Sequence, residues 1–314
     1  MVTPRLEGPG HRVESREHDR PGPLLVPLVF PEARFVGNEK RGCERMSAAR
    51  TPNTRMALSL AVGLYLVWVL ATYLLEGRIH TLLRPEAMGA RLSYALIANV
   101  LIGIGGSALV IRFLSRAGAL SAEVAGFRGL GHAAIAVAIG AVLGFGIYAL
   151  QGAPSWNLVV LINAYAQVLV GSIAEILVCW AVLGSVSQAL LRDRGRWVSA
   201  ILAALIASVF FGVYHFAHSP PFNTVPLVVF LSVIGLVTSA FFFVSGDVYG
   251  TIAFHNFLGI TGVIGALEVS GNLSAFERPI VPLLVMAVIA VALLVAAQVF
   301  FLDSGAAPAP SRVR

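Results

Sequence analysis

One apolar segment, residues 157–191, has the sequence NLVVLINAYAQVLVGSIAEILVCWAVLGSVSQALL and contains a single charged residue, Glu175. As one helix it would be roughly 50 Å long, whereas the hydrocarbon core of a bilayer is about 30 Å thick. The segment is therefore long enough to cross a membrane, and it must tilt, break or extend beyond the bilayer. Lipid is the predicted solvent for this part of the chain.

The rest of the chain has the same character. Of its 314 residues, 57% are hydrophobic and only 12% are charged, about half the charged share of an ordinary soluble domain. Long apolar runs predict membrane-spanning helices at residues 57–75, 92–114, 130–150, 157–191, 198–217, 225–244, 248–267 and 280–302. The fold class predicted from these runs is all-α, a polytopic transmembrane bundle of about eight helices with a central polar cavity inside the membrane.

Composition divides the chain into four parts. Residues 1–55 are rich in Arg, Glu, Pro and Gly and are predicted to be a disordered polar leader, with the biological start at Met46 or Met56. Residues 56–150 hold the first transmembrane helices, residues 151–303 hold a transmembrane core, and residues 304–314 form a tail. The two cysteines, Cys43 and Cys179, offer neither a disulfide framework nor a CxxC metal motif.

The net charge of +6 does not indicate nucleic acid as a partner, because the arginines lie in short loops and not on a folded basic face. The positive-inside rule explains them and predicts an integral protein of the cell membrane with both termini in the cytoplasm. The arginines that support this orientation are Arg50, Arg55, Arg112, Arg116, Arg128, Arg192, Arg194 and Arg196. The connection with Arg78, Arg84 and Arg91 disagrees, because it would lie outside.

Ionisable residues are rare within the predicted spans, since each costs at least about 2.5 to 3.5 kcal/mol near the middle of a bilayer. The exceptions are Glu175, His215 with His218 one turn on, and His255. We expect Glu175, His215 and His255 to face one cavity. His218 precedes Ser-Pro-Pro and is expected at the membrane interface. His215 ends its span and His255 lies early in a later one, so the rings meet only if helices tilt or shift, or if residues 225–244 re-enter the membrane.

Three short motifs then become recognisable in order. The sequence ASVFFGVYH at 207–215 resembles the SSxxFGxxH helix of the CAAX protease and bacteriocin-processing (CPBP) family of intramembrane endopeptidases, with Phe211 and His215 in the two fixed places of FxxxH. The sequence GTIAFH, ending at His255, is similar to the approach to the HxxxN motif of that family. The sequence AEILVC at 174–179 stands where EExxxR is expected. The resemblance covers residues 158–267.

The resemblance implies hydrolysis of a peptide bond in a membrane-associated or prenylated peptide or protein. Glu175 would activate the water, and His215 and His255 would stabilise the oxyanion or orient the water. Phe211, Asn256 and Gly259 would line the substrate pocket. Cofactors stay open: Glu175, His215 and His255 could together bind zinc, but the sequence has no HExxH and a glutamate protease needs no metal. The expected partners are membrane lipid and the peptide substrate.

Three family positions are occupied by other residues: Ala174 replaces the first Glu, Cys179 the Arg and Gly259 the Asn. Asn256 is a poor substitute, since it points about 100° away from His255 on a helix. One alternative is therefore a catalytically degenerate membrane scaffold or peptide-binding protein, in which restoring the three family residues is expected to restore turnover. Another alternative is a small proton-coupled transporter, in which Glu175 and the histidines relay protons.

Overall fold

The computed structural model describes the backbone of residues 39–302 and the side chains of residues 54–302, and this part of the chain contains helices and no β-strand. Eight of the helices are long and apolar enough to cross a membrane. They are α1 (Thr54–Gly77), α2 (Pro85–Arg116), α3 (Leu130–Leu150), α4 (Leu158–Leu190), α5 (Arg196–Ala217), α6 (Val225–Ser245), α7 (Val248–Val269) and α8 (Val281–Leu302). The predicted all-α polytopic bundle of about eight helices is confirmed, and the chain is an integral membrane protein.

The backbone is helical well before the first span. The backbone of residues 39–53 is helical, and the disordered leader at residues 1–55 stays a prediction. Once a span has formed, extending its helix costs little, and Glu, Lys, Arg, Met and Ala are favourable helix residues. The other part of the predicted leader, residues 1–38, and the tail 304–314 lie outside the described residues.

Helix α4, the segment on which the fold prediction rested, is the centre of the bundle. Of its most apolar stretch 78% is buried, whereas the corresponding share for the other seven helices is 22% to 50%. It contacts α2, α5, α7 and α8. The helix does not break, but its backbone changes to a π-helical turn at Ile176–Gly184, directly after Glu175. Such wide turns are frequent at functional sites, because they reorient the side chains that follow.

Close backbone contact between α3 and α7 positions the helix that carries His255. Gly140 faces the backbone of Gly250, and Gly144 faces the backbone of Phe254, so that a Cβ atom at either α3 position would overlap the α7 backbone. Small residues four apart allow this approach in lipid, where dispersion contacts hold helices together. Asp247 caps the start of α7 by accepting a hydrogen bond of 2.8 Å from the Gly250 N–H.

We expect Gly140→Val to lower the stability of the bundle by roughly 1 to 3 kcal/mol, because the new side chain must push the α7 backbone away. The thermal unfolding midpoint of the detergent-purified protein measures this effect. Gly146→Val is the matched control on the same helix, since nothing lies within 4 Å of a Cβ atom at Gly146. Equal midpoints for the two variants would contradict the packing argument.

Short connections make consecutive spans run in opposite directions, so the α1–α2, α3–α4, α5–α6 and α7–α8 connections share one face of the bundle, here called the mouth face. Arg91, near the mouth face, is 2% exposed. It donates hydrogen bonds to the carbonyl oxygens of Thr81 and Arg84 and to Oε1 of Gln167. One of the three arginines that disagreed with the orientation rule therefore has a structural role.

Candidate functional site

A cavity of about 720 Å³ is lined by α2 and by α4 to α8. Glu175, His215, His255, Phe211 and Gly259 all line it, as the sequence predicted, and most of the remaining wall is apolar. The wall continues into the α1–α2 and α5–α6 connections, so the cavity extends to the mouth face. The structure thus brings the three candidate catalytic side chains together in one largely apolar chamber.

Glu175 and His255 form a close pair inside this cavity. Nε2 of His255 lies 3.0 Å from Oε2 of Glu175, and the two side chains are 4% and 13% exposed, respectively. Nδ1 of His255 lies 2.9 Å from the Thr238 hydroxyl. An ionised carboxylate only accepts hydrogen bonds, so the Nε2–H group donates to Glu175. The Thr238 hydroxyl also lies 3.1 Å from the Ile234 carbonyl oxygen, which accepts its proton. The imidazole is then held at both nitrogens and fixes the orientation of Glu175 through Oε2.

His215 is held in one tautomer by its own helix. Its Nδ1 lies 2.8 Å from the carbonyl oxygen of Phe211, one turn earlier. A carbonyl oxygen only accepts hydrogen bonds, so Nδ1 carries the proton. In the neutral ring, Nε2 therefore presents a lone pair and accepts a proton, a hydrogen bond or a metal ion.

His218 belongs to the same cluster, although we expected it at the membrane interface. It is 6% exposed, and its ring stacks on that of His215 with 5.3 Å between the centroids. Neither ring nitrogen has a hydrogen-bond partner. Burial lowers the pKa of His218 well below its usual range, and His215 lowers it further, so the ring is neutral at pH 7. The His-x-x-His spacing was the sequence signal, since residues three apart share a helix face.

Glu76 supports this cluster from α1. It is fully buried and accepts hydrogen bonds from the Ser219 backbone N–H at 2.9 Å and from the Ser219 hydroxyl at 2.6 Å. The residue after His218 is therefore tied to α1. Glu76 was not among the candidate site residues predicted from the sequence. Its position at the end of an apolar run was the available signal.

We expect Glu76→Ala to destabilise the fold by about 3 kcal/mol, because it leaves two buried donors of Ser219 without an acceptor. Thermal unfolding in detergent measures the loss. Glu86→Ala is the control, since Glu86 is exposed and bonds only its neighbour Arg84; pairs of that kind contribute about 0 to 1 kcal/mol. An unchanged midpoint in Glu76→Ala would show that the contact with Ser219 does not stabilise the connection.

Phe211 lies between His215 and His255, which come from different parts of their spans and share one site. Its ring centroid lies 4.7 Å from that of His215 and 5.1 Å from that of His255. His255 is thus level with the turn before His215, and the carboxylate of Glu175 reaches both. Helix α6 is continuous and long enough to cross, so an offset between α5 and α7 joins the rings without re-entry of residues 225–244.

Asn256 does not belong to the substrate pocket, which corrects the prediction. Its side chain is buried away from the cavity, where it accepts a hydrogen bond from the Ser172 hydroxyl at 3.0 Å and donates to the Tyr165 carbonyl at 3.2 Å. The helical turn of about 100° from His255 aims it at α4. Asn256 therefore ties α7 to α4 and does not replace the family amide at Gly259.

The potential metal ligands also differ from the predicted set. The atoms that converge belong to Glu175, His215 and His218, and all three lie within 4.8 Å of one another. His255, the third predicted ligand, is already engaged at both nitrogens by Glu175 and Thr238. The predicted ligand set with His255 stays a prediction, and the group that converges in the structure contains His218.

No protein-family model, curated protein or solved structure matches this chain. The likeness to CPBP endopeptidases therefore remains a prediction from three motifs. The case for a function rests on the side chains of the cavity.

Proposed function

We propose that this chain is an intramembrane endopeptidase that hydrolyses a peptide bond in a membrane-associated peptide or protein. The observation that carries the proposal is the carboxylate of Glu175, which lies in an apolar cavity among three imidazoles. Water-activating carboxylates are effective where bulk water is excluded and the groups are fixed in advance. An ionisable cluster at this depth is also costly to maintain without a use.

The chemistry follows from the tautomers. A water bound between Oε1 of Glu175 and the Nε2 lone pair of His215 loses a proton to Glu175 as its oxygen attacks the peptide carbonyl carbon. An N–H group of the neutral His218 donates a hydrogen bond to the oxyanion that forms. Glu175 then passes the proton to the leaving nitrogen as the C–N bond breaks. His255 keeps the carboxylate oriented throughout.

The apolar wall of the cavity suits an apolar peptide segment or a lipid-modified one, including a prenylated substrate. With the arginine-rich loops in the cytoplasm of a cell-membrane protein, both termini are cytoplasmic and the mouth face is on the opposite side. A substrate would then reach the cavity from the non-cytoplasmic half of the bilayer.

A cleavage assay in proteoliposomes tests the proposal. Pools of apolar peptides, with and without a farnesyl group, are incubated with wild type and with Glu175→Gln, and new termini are identified by mass spectrometry. Wild type should cleave and Glu175→Gln should not, while Glu86→Gln at an exposed position should retain the wild-type rate. Specific peptide binding without cleavage by wild type would instead favour the peptide-binding alternative, for which the replacements Ala174 and Cys179 are the supporting features.

A further inference from the structure

Three atoms of the kind that bind transition metals converge at the inner wall of the cavity. One carboxylate oxygen of Glu175, one ring nitrogen of His215 and one of His218 all lie within 4.8 Å of one another. Among the side chains of residues 54–302, this is the one group of three with such a separation. Two imidazoles with one carboxylate are a ligand set of catalytic zinc sites and of non-haem iron sites.

The ligand atoms are free to bind an ion. Nδ1 of His215 is occupied by the Phe211 carbonyl, which leaves the Nε2 lone pair on the cavity side. His218 is 6% exposed, and both of its nitrogens lack a hydrogen-bond partner. Buried polar atoms in native proteins are nearly always satisfied, so an unsatisfied ring that faces two other metal-ligating groups requires an explanation.

We propose that Glu175, His215 and His218 bind one divalent transition-metal ion of the zinc type. Zinc bonds of about 2.0 Å in a tetrahedral site place ligand atoms about 3.3 Å apart, so the three side chains need only a modest contraction. His218 follows the last helical turn in an extended conformation, where small torsional changes move its ring. Three protein ligands leave a fourth position open to the cavity.

The residues around the ligands form the outer support that metal sites require. Oε2 of Glu175 is bonded to His255, and Nδ1 of His215 is bonded to the Phe211 carbonyl. Such partners orient ligands and fix their tautomers, and their loss typically weakens metal binding about 10- to 100-fold. His255 is therefore assigned to this outer shell and not to the ligands.

A bound ion would change how the proposed hydrolysis operates, although metal binding itself does not depend on that proposal. The ion would hold the water in the open fourth position and lower its pKa to about 7, and Glu175 would serve as a ligand. Peptide cleavage by the metal-free protein and zinc occupancy of the site are therefore separate measurements. Absence of cleavage would overturn the proposed hydrolysis, and absence of bound zinc would overturn the metal site.

Direct metal analysis tests the site. The full chain is purified in detergent through a tag without histidine, stripped with a chelator and dialysed against Zn²⁺ or Co²⁺. We expect about one equivalent of bound zinc, a visible Co²⁺ spectrum typical of a four-coordinate site, and an X-ray absorption spectrum of the zinc protein that contains two imidazoles. His218→Gln and His215→Gln should each lower the affinity for zinc more than roughly 100-fold, which is the upper limit for the loss of an outer-shell partner.

Three variants are the controls. His80→Gln and His132→Gln change exposed histidines outside the cluster and should bind zinc as wild type does. His255→Gln should retain one equivalent with weakened affinity. Stoichiometric zinc that survives His218→Gln but is lost in His255→Gln would overturn the assignment. The site would also be overturned if wild type bound no more zinc than His218→Gln does. It would likewise be overturned if the X-ray absorption spectrum of the wild-type zinc protein lacked imidazole scattering, a result that does not depend on how any variant folds.

Discussion

Glu175→Gln is expected to abolish cleavage, with a loss of at least about 10² to 10⁴ in rate, since that is the usual contribution of a positioned general base. The amide preserves the shape of the side chain but cannot take the proton of the water. It also still accepts the hydrogen bond from His255 through its carbonyl oxygen, so the pair in α4 and α7 persists. The measurement is the initial rate in proteoliposomes at equal protein content.

The fold must be shown to survive this change. Gln at position 175 should leave the thermal unfolding midpoint close to that of wild type, because the side chain is only partly buried and keeps its partner. If wild type cleaves and Glu175→Gln continues to cleave at a comparable rate, the base is another group and the mechanism is wrong. Thr238→Val removes the hydroxyl that lies beside Nδ1 of His255 and bonds the Ile234 carbonyl oxygen. It leaves the carboxylate of Glu175 in place, so it should lower the rate less than Glu175→Gln does.

Much of the fold was predictable because lipid imposes a simple rule on sequence. Helical segments that cross the hydrocarbon must be apolar and about 20 residues long. Hydropathy therefore located both ends of all eight spans to within three residues, except the start of α2, which the structure places at Pro85 and not at residue 92. The bounds of α3 at Leu130–Leu150 are the same in sequence and structure. The π-helical turn after Glu175 was not predictable, since no residue type marks it.

The site was predictable only where a charge stood out against an apolar background. Glu175, His215 and His255 were found in this way, because each is costly in lipid without a partner. His218 was assigned to the membrane interface and Glu76 was not singled out, because both lie at the ends of spans, where a polar residue is ordinary. Only the three-dimensional arrangement shows that the connection between α5 and α6 folds back into the bundle and buries both residues.

The alternative of a degenerate relative made a different prediction, that a glutamate at position 174 would restore catalysis. The structure argues against it. Ala174 is completely buried and packs on α2, where a Cβ atom added at Gly103 would overlap the Cβ of Ala174. The carboxylate of this chain is thus at position 175 because that position, and not 174, faces the cavity.

We therefore expect Ala174→Glu, alone or with Cys179→Arg and Gly259→Asn, to prevent folding and leave the cleavage rate unrestored. Overpacking costs about 1 to 3 kcal/mol, and an unpaired buried carboxylate adds several kcal/mol, together comparable with the total stability of a domain. The yield of monodisperse protein in detergent and its unfolding midpoint measure the effect.

The same contact can be tested from α2 without introducing a charge. Gly103→Ala should lower the unfolding midpoint, because its methyl group meets Ala174, whereas Gly105→Ala on the same helix should be tolerated, since the nearest atom to its new Cβ is the Val100 carbonyl oxygen at 3.7 Å. A folded double variant Ala174→Glu, Glu175→Ala that cleaves at the wild-type rate would refute this account. The carboxylate could then act from either position, and the geometry around Glu175 would not be what selects it.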